Sequence, residues 1–133
     1  MKNKLTYIID DDKLTVKLMS ILISKSNFCE EIHSFYNAQF AIEKLKENSN
    51  NTAILPDAIL LDLNMPVMDG WQFLDEFINL PIKKEISIFI MTSSIDPADI
   101  QRAKKYDVIK DYIKKPITAS KLELLCKLIA ELN

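Results

Sequence analysis

The residues most able to do chemistry are three aspartates, a threonine and a lysine, each within two residues of the end of an apolar run. Asp10 and Asp11, with Asp12 behind them, follow Leu5–Ile9. Asp62 follows Ala58–Leu61, Thr92 and Ser93 follow Ile86–Met91, and Lys115 follows Tyr112–Ile113. Brought together, Asp10, Asp11 and Asp62 would supply three negative charges and Lys115 one positive, a local charge of about −2 with unshifted carboxyls ionised. Carboxylates so close repel and raise one another's pKa. A divalent cation relieves that. With all-oxygen donors and no His or Cys nearby, a hard ion such as Mg²⁺ or Mn²⁺ fits better than zinc. A carboxylate can also attack phosphorus and form an acyl phosphate. Phosphoryl transfer needs positioning and neutralisation of the equatorial oxygens more than covalent help. Asp62 as nucleophile, Asp11 holding a metal, and Lys115 and Thr92 holding phosphoryl oxygens make a full set of roles.

Something must deliver these residues to one place. Five short strand-like runs alternate with five helix-like ones. The strands read Leu5–Ile9, Glu31–Phe35, Ala58–Leu61, Ile86–Met91 and Tyr112–Ile113. The third and fourth are almost solidly apolar, as central parallel strands covered on both faces are. The second and fifth are more polar and are expected at the edges. Apolar spacings of three and four predict helix faces at Leu14, Leu18, Ile21 and Leu22; at Ala38, Ala41, Ile42 and Leu45; at Phe73, Leu74, Phe77 and Ile78; weakly at Ile100 and Ala103; and at Leu122, Leu125, Cys126 and Ile129. Asp69 with Gln72 reads as a capping box, and Asp96 before Pro97 as a cap and first turn. Thr118, or Ser120 with Glu123, opens the last helix. Asp12 reads as a cap, His33 and Trp71 as structural residues. This alternation gives an α/β fold with helices on both faces of a parallel sheet. Sites in such sheets form beyond the carboxyl ends of the strands, where the five residues fall.

Composition narrows the function. The 133 residues suffice for one domain, 1–133. Seventeen basic against nineteen acidic residues, with a pI near 5.4, argue against a nucleic-acid partner. No apolar run is long enough for a membrane span, and the N-terminus lacks a signal-peptide core. Cys29 and Cys126 suit reduced core thiols in a cytoplasmic protein. A single glycine, Gly70, excludes glycine-rich phosphate loops.

Four segments carry a family resemblance: Ile8-Ile9-Asp10-Asp11-Asp12, Leu60 through Gly70 (LLDLNMPVMDG), Met91-Thr92-Ser93-Ser94, and Lys115-Pro116. The chain resembles a receiver domain of a two-component response regulator, stand-alone and chemotaxis-regulator-like. The resemblance implies a flavodoxin-like (βα)5 doubly wound sheet of order 2-1-3-4-5. It places the phosphoacceptor at Asp62. It implies metal binding at Asp10, Asp11 and Asp62, with the backbone carbonyl of Asn64 as a further ligand. Thr92 maps to the switch hydroxyl, Ser93 to a small residue leaving access to phosphate, Lys115 to the phosphate-binding lysine and Tyr112 to the aromatic switch. Pro66, Gly70 and Pro116 map to structural turns, the last often following a cis bond. The turn Tyr106-Asp107-Val108-Ile109 departs from the family's usual glycine. Asn64 and Ser94, two residues past Asp62 and Thr92, are placed to tune phosphate lifetime.

The implied partners are a sensor histidine kinase or histidine phosphotransfer protein, and a downstream protein target contacted through the face of helix four, strand five and helix five. The protein would catalyse only its own phosphorylation and dephosphorylation. With no element after Asn133, output by protein contact is expected. The alternatives are a relay intermediate that hands the phosphoryl group to another histidine, and an aspartyl-nucleophile phosphohydrolase. The latter class wants an acid–base Asp where Asn64 stands. A flavin-binding reading is opposed by Asp10-Asp11-Asp12, which would repel a phosphate.

Overall fold

The computed structural model describes residues 3–93 and 96–131. The chain runs β1 (Leu5–Ile9), α1 (Lys13–Ser26), β2 (Glu31–Phe35), α2 (Ala38–Glu47), β3 (Ala58–Asp62), α3 (Gly70–Phe77), β4 (Ser87–Thr92), α4 (Pro97–Ala103), β5 (Ile109–Lys114) and α5 (Ala119–Glu131). The strands form one parallel sheet of order β2-β1-β3-β4-β5, so the polar runs do take the edges. β5 begins three residues earlier than its apolar residues suggest. A register shift opposite Ile88 and Phe89 lets the irregular segment before it join the ladder.

Period-two alternation sorts the central strands between two cores. Tyr7, Ile9, Ile59, Leu61, Ile88 and Ile90 face α2, α3 and the end of α4. Ile8, Leu60, Phe89 and Met91 face α1 and α5. Burial on both sides leaves β1, β3 and β4 entirely inaccessible to solvent or nearly so. Their apolar runs therefore do not alternate with polar residues.

The helix starts follow the expected chemistry. Asp12 accepts the Leu14 and Thr15 amides at the start of α1. Asp69 and Gln72 exchange hydrogen bonds of 2.9 Å each at α3. Asp96 accepts the Ala98 amide at α4. At α5 Thr118 is the cap, its hydroxyl accepting the Lys121 amide at 3.2 Å and its carbonyl the Leu122 amide.

The face of α1 differs from expectation. Val16, Met19 and Ile23 are buried against the sheet, whereas Leu14, Leu18 and Ile21 are 64%, 58% and 46% exposed. Apolar residues surround most of this helix, so two stripes of similar spacing compete. The stripe that faces the sheet is 16, 19 and 23, with Leu22 only half-buried between the two.

The sheet's amino ends are tied by one carboxylate. Asp57 accepts the amides of Lys4 (2.8 Å) and Leu5 (3.2 Å) and pairs with Lys84 at 3.0 Å. Lys84 also donates to the Leu55 and Thr52 carbonyls.

Candidate functional site at the carboxyl edge of the sheet

Asp10 and Asp62 are delivered by β1 and β3, the two strands between which the chain's winding direction reverses. Crevices of doubly wound sheets form at that reversal. Asp10 leaves β1 with its amide bonded to the Phe35 carbonyl at 3.0 Å, and it is fully buried. Asp62 is the last residue of β3 and 4% exposed. Asp11 is exposed. One carboxylate oxygen from each of Asp10, Asp11 and Asp62 falls within 4.8 Å of the others.

Lys115 reaches this cluster from the turn after β5. Its amide donates to the Thr92 carbonyl at 2.8 Å, which fixes the turn against β4. The Lys115–Pro116 bond is cis. The Lys115 ammonium lies 2.6 Å from Asp10 Oδ2 and 3.3 Å from Asp62 Oδ1. Asp10 Oδ1 meanwhile accepts the Asp12 amide at 3.0 Å, and Asp62 Oδ1 the Asn64 amide at 3.3 Å.

The electrostatics follow from this packing. Burial, and after it the charge of Asp10, push the Asp62 carboxyl up to about 6 against the opposing pull of Lys115. Burial lowers the Lys115 ammonium, but its hydrogen bond to Asp10 and the charges of both aspartates outweigh that, and its pKa is raised. At neutral pH Asp62 is therefore still largely ionised. Asp12 is fully exposed and held low by its Thr15 hydrogen bonds; it is a cap, as expected.

Thr92 closes β4, buried and paired in register with Lys114; Ser93 beside it is exposed. Ser94 lies outside the described residues. Tyr112, in β5, donates its hydroxyl to the Ile100 carbonyl of α4 at 3.1 Å. Asn64 is exposed in the loop after β3. The same loop carries Pro66 and then Val67, 93% exposed with a left-handed φ of 69°. Gly70 opens α3 with its amide on the Leu63 carbonyl. A Cβ there would stand 2.8 Å from the Asp62 carbonyl oxygen and 2.9 Å from the Leu63 Cα. The glycine lets α3 start against the backbone of Asp62 itself.

The donor set fits a hard divalent ion: three carboxylate oxygens close together, one ammonium, and a residual charge of about −2. Asp10, Asp11 and Asp62 would hold it.

Beside the acidic cluster lies a feature the sequence did not disclose. Leu18, Ile21 and Leu22 of α1, with Lys115, Pro116 and Ile117, line an apolar groove of about 540 Å³. Its signal was the second apolar stripe on α1, which spacing alone assigned to the core.

Fold and site together define a flavodoxin-like α/β domain with an acidic centre at its switch point. The response regulator receiver domain model matches residues 6–127, and the chain belongs to that family. Two-component response regulator ARR10 of Arabidopsis thaliana is 26% identical over 115 residues, covering 86% of this chain and 19% of its own length. Two-component response regulator ORR1 of Oryza sativa subsp. indica is 29% identical over 124 residues, covering 90% and 52%. The chain thus spans about a fifth of the first of these relatives and about half of the second. A protein-glutamate methylesterase of Syntrophomonas wolfei is 25% identical over 94% of this chain, the match taking up 33% of that enzyme. A solved two-component response regulator from Cytophaga hutchinsonii superposes with a TM-score of 0.88 at 32% identity, covering 98% of this chain and 99% of its own. A response regulator receiver protein from Dyadobacter fermentans gives 0.81 at 29%, covering 96% of each chain. Receiver domains are for the most part signalling switches. Among the described residues no helix is long and apolar enough to cross a membrane.

Proposed function

We propose that this chain is a phosphorylation-dependent switch in which Asp62 accepts a phosphoryl group from a histidine kinase or histidine phosphotransfer protein, inside the cell and with Mg²⁺ present. The observation that carries the reading is the buried Asp62 carboxyl group, within 3.3 Å of the Lys115 ammonium and beside Asp10 and Asp11. An Asp62 oxygen attacks the phosphorus of a phosphoimidazole. The O–P bond forms, the N–P bond breaks, and the imidazole nitrogen leaves with its electron pair. Lys115 is placed to neutralise one phosphoryl oxygen and Thr92 to donate to another, with Ser93 small enough to leave the approach open. Asp10, Asp11 and Asp62 would hold a divalent ion, which would supply further charge neutralisation when bound.

The donor is read as a macromolecule because of the groove. Leu14, Leu18 and Ile21 are exposed on α1, and Leu18 and Ile21 line the groove that Lys115 also lines. Exposed apolar surface of that kind marks docking sites. A helix presenting an apolar face with a phosphohistidine beside it would seat there and deliver phosphorus to Asp62.

Output follows as a population shift. Moving a two-state equilibrium from 1:99 to 99:1 takes about 5.5 kcal/mol. Charge-assisted hydrogen bonds from Thr92 and Lys115 to the phosphoryl group, about 1.5–3 kcal/mol each, supply most of it. Thr92 moves toward the group and Tyr112 turns inward, leaving the Ile100 carbonyl and altering the α4–β5–α5 face for a downstream target or a second histidine.

Incubation with a phosphorylated donor and Mg²⁺ should give one equivalent of protein-bound phosphate that is acid-stable but labile to base and hydroxylamine. It should be abolished by Asp62→Asn. Full, specific labelling of that variant would refute the assignment.

A further inference from the structure

α3 and α4 are joined by four side chains that no role above uses, one of them, Trp71, buried and the others reaching toward the surface. Trp71 and Asp75 stand one helical turn apart on α3, and Arg102 and Tyr106 stand the same spacing apart at the end of α4 and the turn after it. The Tyr106 hydroxyl donates to Asp75 Oδ1 at 2.6 Å. The Arg102 guanidinium lies over the Trp71 ring, 4.7 Å from its centroid. The Trp71 and Tyr106 rings sit 5.7 Å apart. The hydrogen bond to Asp75 is the main reason the Tyr106 phenol is pushed above its ordinary pKa.

We propose that this α3–α4 latch is a brake on switching, made in the resting conformation and broken when α4 moves; the proposal rests on the switch reading above. The Lys105 amide bonds the Arg102 carbonyl at 3.1 Å and the Tyr106 amide the Ala103 carbonyl at 3.0 Å. The turn through Tyr106 therefore rides with α4 as its last winding. Tyr112 holds the same helix at Ile100, two residues from Arg102. A helix of seven residues cannot move at Ile100 and stay still at Arg102. A hydrogen bond of 2.6 Å is lost with a displacement of about 1 Å.

The other side of the latch does not yield. α3 starts against the Asp62 backbone, where Gly70 leaves no space, and Trp71 is 7% exposed within the core. The latch is thus a stationary post and a moving arm. A contact present only in the resting state lowers the competent fraction, and with it the apparent affinity for any ligand of the active state, by the same factor.

The test is titration with beryllium fluoride and Mg²⁺, followed by calorimetry and by the emission of Trp71, the protein's single tryptophan. Tyr106→Phe removes the hydroxyl and keeps the ring; Asp75→Ala removes the same bond from the surface side. Each should bind the phosphoryl mimic about three- to tenfold more tightly than wild type, as expected for loss of one charge-assisted bond at a solvent-facing edge. The double variant should match Tyr106→Phe, because that change alone already removes both the bond to Asp75 and the hydroxyl's contact with Arg102. Saturating mimic should change Trp71 emission as the Arg102 guanidinium departs. Equal or weaker binding by both single variants, or unchanged emission at saturation, overturns the brake while leaving the phosphoacceptor assignment standing. Wild type that binds no beryllium fluoride by calorimetry overturns both.

Discussion

Replacing Asp62 by Asn should stabilise the ion-free protein at neutral pH, although it removes the residue on which the proposed chemistry turns. The Asp62 carboxyl is pushed from 3.8 to about 6, first by burial and then by Asp10. Its folded-state pKa exceeds its unfolded value, so folding favours the protonated form. Between about pH 4 and pH 6 the native state holds a proton the unfolded chain has released. By linkage, stability falls as pH rises through that window, and above it the penalty is constant. A shift of about two units corresponds to about 3 kcal/mol. The asparagine keeps an oxygen for the Asn64 amide, and Lys115 keeps Asp10 at 2.6 Å as a one-to-one pair. The buried amide takes back about 1 kcal/mol, leaving a gain of about 1–3 kcal/mol. For a domain of this size that is a rise in Tm of about 4–12 °C at pH 7.5. Thermal unfolding of both proteins in EDTA, from pH 4 to pH 8, reads it directly. The gap should close toward pH 4. Saturating Mg²⁺ should narrow it at pH 7.5, because the wild type gains more from binding the ion. A variant no more stable than wild type at pH 7.5, or a gap indifferent to pH, would refute the account of the site's electrostatics.

Two further outcomes follow from the geometry. Gly70→Ala should destabilise by about 1–3 kcal/mol, since its Cβ meets backbone at 2.8–2.9 Å and α3 must shift away from Asp62; denaturant unfolding measures the loss, and a change under about 0.5 kcal/mol would show that α3 relaxes freely. Leu18→Asp, on the exposed stripe of α1, should leave Tm within a few degrees but slow phosphotransfer from a protein donor at least tenfold, with labelling by acetyl phosphate unaffected; equal losses with both donors would place the groove outside the docking path.

Much of this molecule was readable from its residues because local signals agreed with the global fold. The solid apolar runs at 58–61 and 86–91 marked central strands, since only strands covered on both faces can lack polar residues. Asp12, Asp69 and Asp96 marked helix starts to the residue, because a side-chain oxygen at that position satisfies amides the helix cannot. The convergence of Asp10, Asp62, Thr92 and Lys115 followed once the strands were parallel. Spacing alone points to the wrong face of α1, because it ranks stripes by pattern and says nothing of which one the sheet will cover. Leu14, Leu18 and Ile21 fit a core helix as well as Val16, Met19 and Ile23 do. The sequence marks only two residues of β5 where the structure has Ile109–Lys114, because an edge strand tolerates Lys110 and Asp111. The α3–α4 contacts lay beyond sequence altogether: spacing within each helix shows that Trp71 and Asp75 share a face, but not that Arg102 and Tyr106 lie opposite.

Asp57 gives the acidic centre its counterpoint. At the amino ends of the strands a single carboxylate is saturated by two amides and the Lys84 ammonium; at the carboxyl ends Asp10 and Asp62 share Lys115, with Asp11 close beside them. The same side-chain chemistry thus serves as a rivet at one rim and as a source of tension at the other. Because the rivet is remote from the tension, a group arriving at the acidic rim acts on local repulsion without loosening the anchorage of β1, and the sheet remains a fixed reference against which surface helices can be displaced.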